Sequence, residues 1–247
     1  MSVVKVQFLG SGDAFGHGGR LQTCILVQTS TCRFLIDFGA SGMIGLYRYK
    51  IDPNSIDMIL LTHLHGDHFG GLPFFILDAQ LNSKRIDPLV IAGPAGTRAR
   101  LTLAMELMFP GSSKIKQKFD IQVQVLAPAE QWDFRGITVS AFPVQHPSGD
   151  QSLALRIDCD DKTIAYTGDT EWTEALIPAA GGVDLLIAEA YFYEKPIKYH
   201  LNYQTLMTHI KSLNPKRLII THMGQDMLDR LEQLQVESAD DGMIVEI

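Results

Sequence analysis

Thr62-His63-Leu64-His65-Gly66-Asp67-His68-Phe69-Gly70-Gly71 decides how the rest of the chain is read. It follows the apolar run Met58-Ile59-Leu60-Leu61, which has the length and character of a buried strand. Four candidate metal ligands, His63, His65, Asp67 and His68, therefore leave the end of one strand together. Ligands delivered this way need little loop closure to reach a common point. Neutral imidazole and carboxylate suit a borderline divalent ion such as zinc, manganese or iron. The competing reading, a polar surface loop, does not account for three histidines and an aspartate packed behind a strand. Gly66 is expected to turn the backbone tightly, and Gly70-Gly71 to let a helix begin close to the loop.

The 247 residues are 46% hydrophobic and 20% charged, the make-up of a soluble globular chain with a sizeable core. They are read as a single domain over 1–247. A net charge of −7 argues against a broad basic surface for nucleic acid, although bound ions would supply local positive charge for a nucleotide or an RNA strand. The short basic cluster Lys114-Ile115-Lys116-Gln117-Lys118 reads as a solvated face, with contact to a phosphate-bearing substrate as the sharper alternative. Cys24, Cys32 and Cys159 are too few and too scattered for a disulfide framework or a four-cysteine zinc site. Free thiols suit a reducing compartment. Residues 3–9 read as a strand with no charged leader and long apolar core ahead of it. No run approaches the roughly 18 apolar residues that span a bilayer. The expectation is a cytoplasmic protein with no membrane partner.

One event recurs along the chain: an apolar strand ends in a residue that can bind a metal or a proton. Residues 33–37 end in Asp37-Phe38-Gly39, the second arm of a hairpin with 21–28. Residues 137–142 lead through Pro143-Val144-Gln145 to His146, and 163–166 lead to Gly168-Asp169-Thr170. Residues 183–188 end in Glu189, and 216–220 in Thr221-His222. Helices are expected over 41–48 with Ser41 as its cap, over 71–81 with Leu72, Phe75, Ile76 and Ala79 on one face, from Gly96 to about Met108, over 171–180, and over 202–213 with His200 at its start. Further strands are expected at 88–92, 119–126, 132–134 and 153–157, with a final short one at the C-terminus. His17, in the loop Phe15-Gly16-His17-Gly18-Gly19-Arg20, reads as a solvated loop histidine, with substrate contact as the sharper alternative. His209 reads as structural or exposed.

The pattern His-x-His-x-Asp-His at 63–68 resembles the signature of the metallo-β-lactamase superfamily of metal-dependent hydrolases. The resemblance, running from Gly10 to His222, implies an α/β fold: a four-layer αββα sandwich of two mixed sheets. It implies that His63, His65 and His146 hold one divalent ion, that Asp67, His68 and His222 hold a second, and that Asp169 bridges them. Asp37 would support the ligand loop through a hydrogen bond. Zn2+ is the leading metal and Mn2+ the next. Such a pair shares and acidifies a water for hydrolysis, with Asp67 and His200 as the catalytic side chains.

Gly93-Pro94-Ala95-Gly96, Gly168-Asp169-Thr170 and His200, 22 residues before His222, resemble the ribonuclease Z and cyclic phosphodiesterase branch. Three departures narrow what that implies. No arm-length insertion for RNA follows His146, His200 is followed by Leu-Asn-Tyr, and no Cys-x-Cys structural zinc motif is present. A small or cyclic phosphodiester or nucleotide is therefore favoured as substrate, with RNA as the other candidate and a homodimer as the family's common assembly. Two alternatives stay open: a carboxylic ester, lactone or thioester hydrolase on the same site, and a non-catalytic metal-binding RNA-interaction module. The last would be expected to have lost ligands, yet all seven positions are filled.

Overall fold

The computed structural model describes residues 3–247. Its strands are β1 (Lys5–Gly10), β2 (Cys24–Gln28), β3 (Arg33–Ile36), β4 (Met58–Leu60), β5 (Leu89–Gly93), β6 (Ile121–Val125), β7 (Gln131–Phe134), β8 (Ile137–Pro143), β9 (Leu153–Cys159), β10 (Lys162–Tyr166), β11 (Leu185–Glu189), β12 (Leu218–Thr221), β13 (Glu237–Ser238) and β14 (Ile244–Glu246). The helices are α1 (Gly42–Arg48), α2 (Gly66–Phe69), α3 (Leu72–Leu81), α4 (Thr97–Met108), α5 (Leu176–Ala180), α6 (Tyr203–Leu213) and α7 (Gln225–Leu228). None is long and apolar enough to cross a membrane.

The strands form two seven-stranded sheets, ordered β14-β1-β2-β3-β4-β5-β6 and β13-β12-β11-β10-β9-β8-β7. Both are mixed. In the first, β3 to β6 run parallel and the rest antiparallel. In the second, β10 to β13 run parallel and β7 to β10 antiparallel. The parallel strands β4, β5, β11 and β12 are buried throughout, which is why they read as unbroken apolar runs. β8 instead alternates, with Ile137, Val139 and Ala141 turned inward.

Three apolar clusters define four layers. Phe8, Ile36 and Leu60 of one sheet meet Leu155, Tyr166 and Ile187 of the other between the sheets. The outer face of the first sheet packs against helices α1, α3 and α4, and that of the second against α5 and α6. Phe38 and Phe75 meet edge to face at 5.4 Å, docking α3 against the end of β3. Asn202 starts α6 by accepting the Thr205 N–H at 2.8 Å.

Four local expectations are corrected. Ser41 precedes α1, but its hydroxyl accepts the Gln22 N–H at 2.8 Å and does not cap the helix. The helix expected over 171–180 is only α5, because the preceding backbone is bonded elsewhere: Glu171 N–H reaches the Gln145 carbonyl at 3.3 Å and Thr170 N–H the Glu189 carboxylate. Gly66 begins α2 in open space, so the motif's turn does not demand a glycine there. Gly71 does: an added Cβ would lie 2.4 Å from the Gly39 carbonyl oxygen. His200 lies in a loop ahead of the α6 cap, not in the helix.

Arg85 is 2% exposed and bonds only to carbonyls. Its guanidinium reaches Pro53 at 3.2 Å, Ile56 at 2.7 Å, Asp87 at 2.8 Å and Pro88 at 2.8 Å. These groups lead into β4 and β5, so one buried cation aligns two central strands. Arg85→Ala leaves several buried carbonyls unmatched and is expected to cost about 3–5 kcal/mol. Arg85→Lys, which loses the planar fork, should recover only part of it. Urea denaturation of the three proteins reads this directly.

Candidate metal centre

β3 and β4 run parallel to each other, as do β10, β11 and β12, and β8 shares the direction of β10 through the antiparallel β9. Their C-terminal ends meet along one rim of the sandwich. Asp37, His63, His146, Asp169, Glu189 and His222 all lie at or just past those ends. The sheets are joined there, with Leu153 N–H on the Thr62 carbonyl at 3.0 Å.

All seven side chains predicted as ligands converge. His63, His65 and His146 bring one donor atom each within 4.8 Å of one another, and Asp67, His68, Asp169 and His222 do the same. Asp169 lies between the two groups. Its Oδ1 is 3.3 Å from His68 Nε2, and its Oδ2 is 3.4 Å from His222 Nε2 and 3.9 Å from Nε2 of both His63 and His146. His65 Nδ1 and His146 Nε2 face each other at 3.0 Å, and the Nε2 atoms of His68 and His222 at 3.2 Å. A tetrahedral ion with bonds of about 2.0–2.1 Å holds its ligand atoms about 3.3 Å apart. The distances here straddle that value. Two imidazole lone pairs face each other stably only with a proton or a cation between them. His63 Nε2 and Asp169 Oδ1 are buried without a hydrogen-bond partner among the described residues, a cost of about 1–3 kcal/mol each that a cation removes. The residues present fit a metal.

The ring orientations are fixed from behind. Asp37 Oδ2 takes His68 Nδ1–H at 2.6 Å, and the same carboxylate accepts the Thr62 N–H and hydroxyl, each at 2.8 Å. The Tyr199 carbonyl takes His146 Nδ1–H at 2.9 Å, and Thr62 Oγ1 lies 3.0 Å from His63 Nδ1. Each contact leaves Nε2 for the site. Asp37, Gly168 and His222 have φ of 57°, 58° and 57°. Such left-handed backbone is uncommon outside glycine and persists where packing enforces it.

Burial, reinforced by neighbouring imidazoles, holds His63 well below the usual histidine range, and burial lowers His146 too. Both are neutral near pH 7 and keep a lone pair. Burial also disfavours the charged form of His68, but the Asp169, Asp67 and Asp37 carboxylates outweigh it and hold His68 well above its usual value. At His222, Asp169 and the Asp67 hydrogen bond likewise outweigh burial and raise it to about 9. Burial favours the protonated form of Asp67 and Asp169, but the adjacent imidazoles hold both well below the carboxylate range. The raised imidazoles place positive charge among these carboxylates, the same charge a divalent ion would supply.

His200 comes to the same rim, with Nδ1 2.9 Å from Glu189 Oε2 and 3.9 Å from Asp169 Oδ2. Burial and nearby Asp169 raise Glu189. At His200 the Glu189 bond outweighs burial and raises it as well. A pocket of about 260 Å³ opens over Asp67, Asp169, His200 and His222, with Phe15, Tyr191 and Ile197 on its rim. The sequence had marked Glu189 only as a strand end. The signal was the same as at Asp37 and Asp169, a carboxylate closing an apolar strand. Nothing local marked Phe15, Tyr191 or Ile197. His17 stays outside this pocket, its Nδ1 2.6 Å from the buried Asp13. His209 stacks on Trp172 at 3.6 Å. Lys114, Lys116 and Lys118 are exposed, as a solvated face requires.

Comparison with known proteins bears on the family and the fold. Residues 4–239 match the family described as anti-Pycsar protein Apyc1. The chain is 23% identical to a ribonuclease Z of Methanosarcina acetivorans over 96% of its own length and 92% of that protein's. The human short-form tRNase Z superposes with a TM-score of 0.80 at 25% identity, covering 98% of both chains. The metallo-β-lactamase fold protein YhfI of Bacillus subtilis superposes with a TM-score of 0.82 at 21% identity, covering 100% of both.

His222 titrates near 9 in the metal-free fold against about 6.5 unfolded. A raised folded value stabilises fully below about pH 6.5 and is lost as pH rises through about 9. Chelator-treated protein should therefore lose on the order of 3 kcal/mol between pH 6.5 and 9.5 by urea denaturation, and His222→Asn should lose less. Metal uptake at pH 7 should release protons, read by calorimetry in buffers of different ionisation enthalpy, and affinity should fall in acid.

Proposed function

The chain belongs to the anti-Pycsar protein Apyc1 family, in the ribonuclease Z-like branch of the metallo-β-lactamase superfamily, and from that premise we propose that it is a dinuclear metal-dependent phosphodiesterase acting on a small or cyclic phosphodiester. The observation that carries the reading is Asp169, whose carboxylate stands between two complete ligand groups under a pocket of about 260 Å³.

His63, His65 and His146 would hold one ion, Asp67, His68 and His222 the other, and Asp169 both. Five imidazoles and two carboxylates suit Zn2+, with Mn2+ as the alternative. Bound there, two divalent ions supply Lewis-acid charge for the phosphoryl oxygens and an acidified water. Asp37, Thr62 and the Tyr199 carbonyl hold three imidazoles in the tautomer that presents Nε2. Asp67, which lines the pocket, would orient the attacking water by accepting its hydrogen bond, since the imidazoles that hold it well below the carboxylate range leave it a weak base. His200, its Nδ1 bound to Glu189, turns its other nitrogen to substrate and protonates the departing oxygen.

Two features support a small substrate over a folded RNA. The pocket is below the roughly 300–1,000 Å³ of typical ligand sites, and only residues 144–152 separate β8 from β9, leaving no arm there. Relatives named ribonuclease Z and tRNase Z support phosphodiester over carboxylic ester. Buried free thiols at Cys24, Cys32 and Cys159 support a cytoplasmic setting.

The Zn2+- or Mn2+-loaded protein should hydrolyse bis(p-nitrophenyl) phosphate and cyclic nucleotides faster than a lactone and thioester panel or precursor tRNA. Preference for lactones would replace this reading, and no turnover on any panel would favour the non-catalytic alternative. Asp169→Ala should lose metal and activity together. His200→Ala should retain both equivalents of metal by elemental analysis while kcat falls by about 10²–10⁴-fold. Collapse of metal content in His200→Ala would make His200 a ligand instead.

A further inference from the structure

Among the buried imidazoles that could face a metal, His222 stands apart. His63, His68 and His146 each have the second ring nitrogen held by a named partner. His222 Nδ1 is buried with no hydrogen-bond partner among the described residues. On the side away from Asp67 and His68 its ring is therefore aimed only by its backbone, which is left-handed at φ 57° and has to be held there by what it touches.

What it touches is the Ser11 carbonyl, which accepts the His222 N–H at 3.2 Å and the Thr221 hydroxyl at 3.1 Å. Ser11 is fixed in turn by a residue far along the chain. Asp241 Oδ1 accepts both the N–H and the hydroxyl of Ser11, each at 2.9 Å. Asp241 Oδ2 accepts the Leu21 N–H at 2.8 Å, with the Arg48 guanidinium 3.7 Å away. The segment carrying Asp241 is tied to both sheets. Gly242 N–H reaches the Phe8 carbonyl at 2.7 Å, and Ala239 N–H the Ile220 carbonyl at 2.8 Å. Asp241 lies beyond residue 239, where the family match ends.

We infer that Asp241 is a positioning residue that sets the aim of His222 through Ser11, and thereby the affinity of one of the two metal positions and not the other. The inference rests on the reading of His222 as a ligand. The carboxylate is suited to this task because one rigid group accepts from two segments at once. A carboxamide keeps the two bonds from Ser11 on its oxygen, but its nitrogen cannot accept from Leu21.

The test titrates Zn2+ and Co2+ into metal-free wild type, Asp241→Ala, Asp241→Asn and Ser11→Ala, with Glu246→Ala, exposed on β14, as a control from the same segment. In Asp241→Ala one equivalent should bind as in wild type and the second about 10–100-fold more weakly. The visible Co2+ spectrum should change only for that second equivalent. Asp241→Asn should fall between wild type and Asp241→Ala, kcat should drop more than KM rises, and excess Zn2+ should restore turnover. Ser11→Ala, which deletes one bond only, gives a smaller loss of the same equivalent and decides the matter if Asp241→Ala does not fold. Unchanged affinity for both equivalents, or equal weakening of both, overturns the inference while leaving the two-metal reading intact. A wild type that binds no second ion overturns both.

Discussion

The structure depends on one buried carboxylate. Asp37 ends β3 in a left-handed conformation and gathers three hydrogen bonds, from the Thr62 backbone, the Thr62 hydroxyl and His68. Burial alone raises it, and the facing His68 opposes that. Through those bonds it joins β3 to the end of β4, sets the path of the histidine-rich turn, and fixes which nitrogen His68 offers. A carboxylate accepting from so many donors is held tightly, because each lost bond would leave a buried group unmatched. The close approach of Phe38 and Gly39 to Gly71 then seats α3 beneath the same turn.

Around that anchor the rim of the sandwich is deliberately unfinished. Apolar packing closes the space between the sheets and both outer faces, yet the rim collects imidazoles and carboxylates that do not satisfy one another. His63 Nε2 and Asp169 Oδ1 stay unmatched, facing imidazole nitrogens crowd together, and neighbouring groups are pushed toward opposite protonation states. A fold tolerates such conflict locally when the surrounding packing is strong, and such conflict concentrates at functional sites. The symmetry of the two sheets explains why it falls there. Each half supplies strands whose C-terminal ends open on the same rim, so ligands on short loops meet without long excursions.

Much of this was legible in the chain. The unbroken apolar strands and the helix expected over 71–81, found at Leu72–Leu81, follow from local periodicity, the turn of 62–71 follows from its residue types, and every residue expected to bind a metal lies in the cluster. Two of the misread positions share a cause. Ser41 and the residues after Asp169 looked like helix starts, but their polar groups are bonded across the fold to Gln22, Gln145 and Glu189. Local propensity is decided by which partner is nearest, and those partners are distant in sequence. Glu189 passed as a strand end because nothing local connects it to His200.

The sequence by itself determined the elements and the kinds of atoms at the rim, since apolar spacing and ligand type are properties of short stretches. Only the tertiary structure decided how those atoms are held: that Glu189 holds His200, that Asp37 aims His68, and that Asp241 reaches Ser11 across 230 residues. The physical reason is that hydrogen-bond and ligand geometry depend on distances of a few ångströms between segments, and those are fixed only when the two sheets pack.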